Sequence, residues 1–334
     1  MLGTLNGMRV RKRVPAAKIV VYVLLSLVAV TFIFPYLWLI ASSFKDTSAI
    51  FSEKFSLIPR DEAGNIKFVL SNYSQAIQEL KLGLVFKNTL IVCVVNTFVN
   101  LFLNSLAAYA FARLEFPGRD KIFGVLLVTM MVPGTVLTIP NFIIVNALNI
   151  YDTLFALILP FTMSVYNVFL LRQQYYALSS DIEGAAMIDG ASTFRIYAQI
   201  SLPMVSPMLV VLGITTFMWN YNNYMWPLIA TRSEENFTLA ISLGELVATG
   251  QSDVRKYPAM LAGAVIVSAP LIIIFFVLQK YILAGIMVGG VKEYRRKYER
   301  QIYCKDLMFR AGARHMFRRR RVRQNTVAEL CPAL

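Results

Sequence analysis

The sequence predicts an all-α integral membrane protein, on three observations. Hydrophobic residues make up 57% of the 334 and charged residues only 16%, with a mean hydropathy of +0.58. Six apolar runs are each long enough to cross a bilayer, and the Lys and Arg residues gather at the two ends and in short loops. A soluble domain carries about 25% charged residues, whereas a crossing helix needs about 20 mostly apolar residues to traverse ~30 Å of hydrocarbon.

The runs fall at 17–42, 85–110, 121–146, 153–172, 205–230 and 258–283. The first follows Arg9, Arg11, Lys12, Arg13 and Lys18. It exceeds the ~7–15 apolar residues of a secretory signal, so it reads as an uncleaved anchor. Segment 43–84 has balanced charges and predicts a short helix near "LSNYSQAIQEL". The loop "ARLEFPGRDK" (112–121) carries Arg113, Arg119 and Lys121 and should face the cytoplasm. Residues 147–152 hold no Lys or Arg and should lie outside. Basic ends fit an even number of spans with both termini cytoplasmic, in a multi-pass protein of the cytoplasmic (inner) membrane. In the third run, Pro133-Gly134 and Pro140 suggest a kink or local unwinding. The domain reading is a basic N-terminus 1–16, a six-span domain 17–283 and a basic tail 284–334.

The net charge of +14 belongs largely to the tail: residues 280–334 hold 14 Lys/Arg against 4 Asp/Glu. A polybasic end beside anionic membrane lipid explains it better than nucleic-acid binding, and its low apolar content predicts disorder or contact with the lipid surface. Span interiors hold no clear ionisable residue apart from Lys87 near one end, which argues against a proton relay or an intramembrane protease. No GxSxG, HExxH or GxxxxGK[ST] pattern occurs, so any work the chain does against a gradient draws its energy from elsewhere. Cys93, Cys304 and Cys331 lack paired spacing and His315 sits among arginines, so no catalytic residue and no metal site is expected.

One stretch breaks the apolar pattern: "DIEGAAMIDGASTFRIYAQISLP", residues 181–203. It predicts a short helix starting at Ser180 or Asp181, with Ile182, Ala185 and Ala186 on one face and Gly190 ending it. Ser192 or Thr193 then caps a second helix, with Phe194, Tyr197 and Ile200 at three-residue spacing, and Pro203 opens the next span. Such a helix–glycine–helix fits either a groove on another protein or the lipid surface.

The segment resembles the EAA coupling loop of binding-protein-dependent ABC importer permeases, whose pattern is roughly E-A-A-x-x-D-G-A, nine residues, then I-x-L-P. Ala185, Ala186, Asp189, Gly190, Ala191, Ile200, Leu202 and Pro203 match it. The glutamate before the alanines is Gly184 here, with Glu183 just ahead. Further stretches look like the carbohydrate-uptake branch, similar to the smaller maltose-type subunit: "SLAAYAFARLEFPGRD", "MMVPGTVLTIPNFI", "IYDTLFALILP", "FMWNYNNYMWPLI" and "YILAGIMVGGVKE". The resemblance covers about residues 17–291. It implies a six-helix permease bundle with a coupling loop at 173–204 and no cofactor in this chain. Its implied partners are a second permease subunit, an ATPase dimer that uses ATP, and an extracytoplasmic solute-binding protein. Nucleic acid is not among them. Relatives end near 290–292, so about 40 residues here lie beyond the pattern.

Two groups could line a solute path. Span five carries Trp219, Asn220, Asn222, Asn223, Tyr224 and Trp226. Aromatic faces stack on sugar C–H groups and amides bond hydroxyls. The same residues also suit an interfacial aromatic belt with interhelical amide bonds. In span two, Asn96, Asn100 and Asn104 repeat every four residues along one face, with Asn88 two turns earlier. They read as helix-to-helix bonding or as solute contacts. Two other classes stay open: an integral-membrane enzyme acting on lipid-linked sugar, and a stand-alone channel.

Overall fold

The computed structural model describes residues 16–52, 56–60 and 65–279. The basic N-terminus and the tail 284–334 lie outside these residues. Among the described residues the fold is helical, and its one β-bridge pairs Arg60 with Ile66. The helices of five residues or more are α1 Ala16–Ser43, α2 Ser71–Glu79, α3 Leu82–Arg113, α4 Arg119–Thr129, α5 Thr138–Ala147, α6 Leu154–Ile158 and α7 Val165–Tyr176. There follow α8 Ser180–Ile188, α9 Thr193–Met204, α10 Ser206–Asn222, α11 Met225–Ala230, α12 Leu239–Ser252 and α13 Val254–Gln279.

Three helices are long and apolar enough to cross a membrane unbroken: α1, α3 and α13. Two interrupted pairs pass together, α6 with α7 and α9 with α10. The apolar side chains of α1 from Val20 to Leu37 are mostly exposed, which in a membrane protein marks a lipid-facing surface. The expected run 121–146 is not one helix. It stops at Thr129 and resumes at Thr138, around Pro133-Gly134; Pro140 sits in the first turn of α5, where a missing N–H is tolerated, and makes no break. The expected helix near 70–80 is α2.

The chain divides into two compact units. The first holds the described residues up to Thr97, Val132–Thr162 and Phe217–Ile274. Its larger core joins Leu80, Cys93, Tyr221, Leu239, Leu246 and Leu261, and a smaller one surrounds Trp226 with Val92, Val145 and Ala156. Here α12 and α13 approach closely. A Cβ on Gly263 would lie 2.8 Å from Leu246 Cδ2, and one on Gly250 would lie 3.0 Å from Met260 Cβ. Small residues permit such backbone proximity, and it drives helix association where lipid removes the hydrophobic effect.

The second unit holds Phe98–Met131, Met163–Thr216 and the described residues 275–279. Its core is aromatic. The Tyr109 ring meets those of Tyr175 and Tyr197 at 5.4 and 5.2 Å between centroids. The Ser105 hydroxyl lies 2.7 Å from that of Tyr175 and accepts a bond from the Tyr197 hydroxyl at 3.2 Å. Buried phenols thus carry polar partners, as a dry interior requires.

Candidate coupling surface and pathway residues

The loop at 173–204 is built from caps. Ser179, one residue ahead of the expected start, is the N-cap of α8; its hydroxyl accepts from Asp181 N–H at 3.3 Å. The helix closes where expected. Gly190 sits at φ +81°, Gly190 N–H bonds Met187 C=O at 3.0 Å, and Ala191 N–H bonds Ala186 C=O at 2.9 Å. This paired arrangement is the Schellman closure that glycine favours. Ser192 caps α9, accepting from Arg195 N–H.

The loop's inner and outer faces differ from the even spacing of its apolar residues. Glu183 is buried, whereas Ile182, Met187, Ile188 and Phe194 are exposed, Ile188 at 89%. Ala185, Asp189 and Gly190 are exposed too, and Gly184, Ala186 and Ala191 are half-buried. Phe194, Tyr197 and Ile200 do not share a face: Tyr197 is buried and Phe194 is not. Residues Tyr197–Ser201 form a π-turn, whose wider winding shifts the register past a three-residue step. Leu202 and Pro203 lie in the last turn of α9. The chain then bends 76° into α10, so the span proper starts at Ser206 and not at Pro203.

Glu183 explains the inward face. Its Oε2 lies 3.0 Å from Arg113 Nε, with side chains only 8% and 14% exposed. The Nε–H is not aimed along a hydrogen bond, so the pair is held by charge. Ser201 donates to the other carboxylate oxygen at 2.7 Å, and Arg113 also donates to Leu178 C=O at 2.9 Å. One buried carboxylate therefore ties the end of α3 to both helices of the loop. A Cβ on Gly184 meets nothing within 4 Å, so the position is open.

The asparagines of α3 are all buried. Asn88 donates to Glu235 and Phe237 carbonyls, at 2.7 and 3.0 Å. Asn96 donates to Ile158 C=O at 2.9 Å and accepts from Asn220 at 3.0 Å. Asn100 accepts from Asn104 and Asn167, and Asn104 accepts from Ser164 N–H at 3.0 Å. Ile158 and Ser164 flank the interruption between α6 and α7. Broken backbone has no water to turn to in a bilayer, so these amides supply its partners.

The span-five group separates into two sets. Asn220 and Trp226 are buried, and Trp226 Nε1–H donates to Ala156 C=O at 3.0 Å. Asn223, two residues ahead of α11, accepts from Trp226 N–H at 3.4 Å. Trp219, Asn222 and Tyr224 are exposed, and Trp219 rests edge-on against Phe161 at 4.9 Å.

A knot of hydrogen bonds around residue 152 gave no sequence signal beyond "YDT". Asp152, at φ +57°, receives Arg232 N–H at 2.9 Å, Ser233 N–H at 3.0 Å, the Ser233 hydroxyl and Asn236 Nδ2. Burial raises its pKa, but these four donors outweigh it and hold the carboxyl at about 2.

These features define a class: a polytopic helical membrane protein presenting a capped, apolar-faced helix pair. The chain belongs to the family of binding-protein-dependent transport system inner membrane components, matched over residues 104–288. It is 30% identical to a lactose transport system permease protein of Rhizobium radiobacter, over 84% of this chain and 98% of that one. It is 37% identical to an arabinooligosaccharides transport system permease protein of Bacillus subtilis, over 62% and 73% respectively. Among solved structures it is similar to a chain of a bacterial ABC transporter involved in import of the acidic polysaccharide alginate. That likeness has a TM-score of 0.70 at 23% identity, covers 84% of this chain and 100% of the other, and shows a shared fold. The protein is thus a multi-pass membrane transport subunit and not an enzyme.

Proposed function

We propose that this chain is the permease subunit of an ABC importer that passes a sugar or related polyol across the cytoplasmic membrane. A second permease subunit completes the pore, an extracytoplasmic protein delivers the solute, and a separate ATPase dimer docks on the coupling loop and uses the ATP. Both termini are cytoplasmic in this reading. The observation that carries it is the outward apolar face of the loop: Ile182, Met187, Ile188 and Phe194 exposed around a helix pair fastened from beneath by Glu183. Burying one such side chain at an interface contributes about 1.5–3 kcal/mol. The relatives named for lactose and arabinooligosaccharides support a carbohydrate, and the exposed Trp219 and Asn222 are the side chains best placed to meet one.

ATP closes the docked ATPase dimer, and the Arg113–Glu183 tie passes that movement from the loop to α3. The test is purification of the tagged chain in mild detergent with Ile188→Asp beside wild type. Ile188 is almost fully exposed, so the variant should fold normally, lose its ATPase and lose solute uptake. A wild-type chain that emerges without an ATPase across several gentle detergents would sink the reading.

A further inference from the structure

The loop ahead of α4 holds a surface cavity of about 410 Å3 lined by Glu115, Phe116, Gly118, Arg119, Asp120 and Lys121. Four of these groups are charged, and two of them are mutually satisfied. Arg119 donates to both Asp120 oxygens, at 3.3 and 3.2 Å, and Arg172 reaches the same carboxylate at 3.2 Å. Glu115 and Lys121 remain, both exposed; Glu115 lies in the field of the Arg119 guanidinium, which Asp120 already engages, and Lys121 has no partner among the described residues. One wall of the cavity is also an open helix end. The N-cap of α4 is Gly118 at φ +80°, a residue with no side chain to bond the first-turn N–H groups. From the rim, Ile122, Val125 and Val128 run along α4 in three-residue steps, exposed at 48, 67 and 62%.

We infer that this cavity seats one membrane phospholipid whose headgroup carries both a phosphate and a primary ammonium, of the ethanolamine class. The phosphate meets Lys121 and the uncapped helix end, where backbone N–H groups favour anions. The ammonium donates to Glu115. One acyl chain lies along the stripe from Ile122 to Val128. The mixed charge selects the occupant: a choline headgroup has no N–H to give Glu115, and a glycerol headgroup brings phosphate without the matching cation.

The test offers the intact complex, in mild detergent, equal amounts of phosphatidylethanolamine, phosphatidylglycerol and phosphatidylcholine, and reads the retained lipid by native mass spectrometry. The expected preference for ethanolamine is about five-fold, the ~1 kcal/mol of one exposed charge pair. Glu115→Lys should turn the preference toward phosphatidylglycerol, and Lys121→Glu should abolish retention at this seat. Both residues are exposed, so neither change endangers folding. Hydrogen exchange of residues 115–125 in lipid nanodiscs should slow in ethanolamine lipid relative to glycerol lipid, independent of any substitution. Equal retention of the three lipids, or a wild-type pattern in both variants, overturns the proposal. So does a wild-type chain that holds no lipid, which gives this face to a protein neighbour.

Discussion

Glu183→Gln isolates the charge of the buried tie. Glutamine keeps the shape and still accepts from Ser201, whose hydroxyl sits 2.7 Å from Glu183 Oε1. What it removes is the counter-charge for Arg113, 3.0 Å away, in a pair whose side chains are 8% and 14% exposed. Stripping one partner from a buried pair costs about 3–5 kcal/mol, and the residual exposure of Arg113 points to the lower end. A loss of ~3 kcal/mol is roughly a 150-fold shift in the folding equilibrium. An exposed pair would lose only about 0.2–1 kcal/mol. The assay is denaturant unfolding in mild detergent, as a double-mutant cycle with Arg113→Gln. The double variant carries no unpaired charge, so it should be more stable than the two single losses sum to, by at least ~1.5 kcal/mol. If Glu183→Gln stays within ~1 kcal/mol of wild type and the cycle shows no coupling, the tie is a surface contact and the reasoning fails.

Trp226→Ala should destabilise by about 3–5 kcal/mol, because it empties a buried site and frees Ala156 C=O, whereas exposed Trp219→Ala should leave stability nearly unchanged and weaken solute uptake. Unfolding and uptake measured on the same two variants separate these roles; equal stability losses would refute the division. Asn104→Leu should cost about 1–3 kcal/mol, more than the ~0.6 of an average interhelical bond, since it strands Ser164 N–H at a break in the helix. Unfolding of Asn104→Leu beside an exposed-site control checks that. Asp152 has a folded pKa near 2, below the ordinary ~3.9, so its contribution is full above about pH 4 and fades as pH falls toward 2. Apparent unfolding temperature against pH should show a shallower acid limb for Asp152→Asn, and identical limbs would refute the knot.

Apolar length made the spans legible, and capping chemistry made the loop legible. Both signals are local. Gly190 closes α8 because a left-handed residue must follow the helix, and no distant partner is needed to know that. Pro133-Gly134 likewise marked the gap between α4 and α5. The interruption between α6 and α7 lay inside one run read as a single span, despite Pro160 and Ser164. Its partners, Asn96 and Asn104, lie 62 and 60 residues away on α3. The four-residue asparagine repeat showed that α3 has a polar face. It could not show that the face serves a neighbour's broken backbone, because both uses demand the same amides in the same row.

The apolar face of the loop was legible and its buried acid was not. Spacing alone placed Ile182 and the alanines on a common face, suited to a groove on another protein or to the lipid surface. The structure exposes Ile182 and Ala185 and turns the carboxylate of Glu183 inward. This arrangement is economical only if something else covers the apolar side. Leaving Ile188 89% exposed to water has no benefit for this chain alone, while burying a carboxylate is tolerable only with Arg113 already in place. Both departures run in one direction, toward a partner that supplies the missing apolar surface. The open space at Gly184, where the resembled pattern has a glutamate, lies on this same short helix. On the proposed reading, the chain keeps Glu183 for its own tie to Arg113 and meets its ATPase through exposed apolar groups more than through that outward acid. High salt should then weaken ATPase retention little, since screening acts on exposed charge and leaves apolar burial intact.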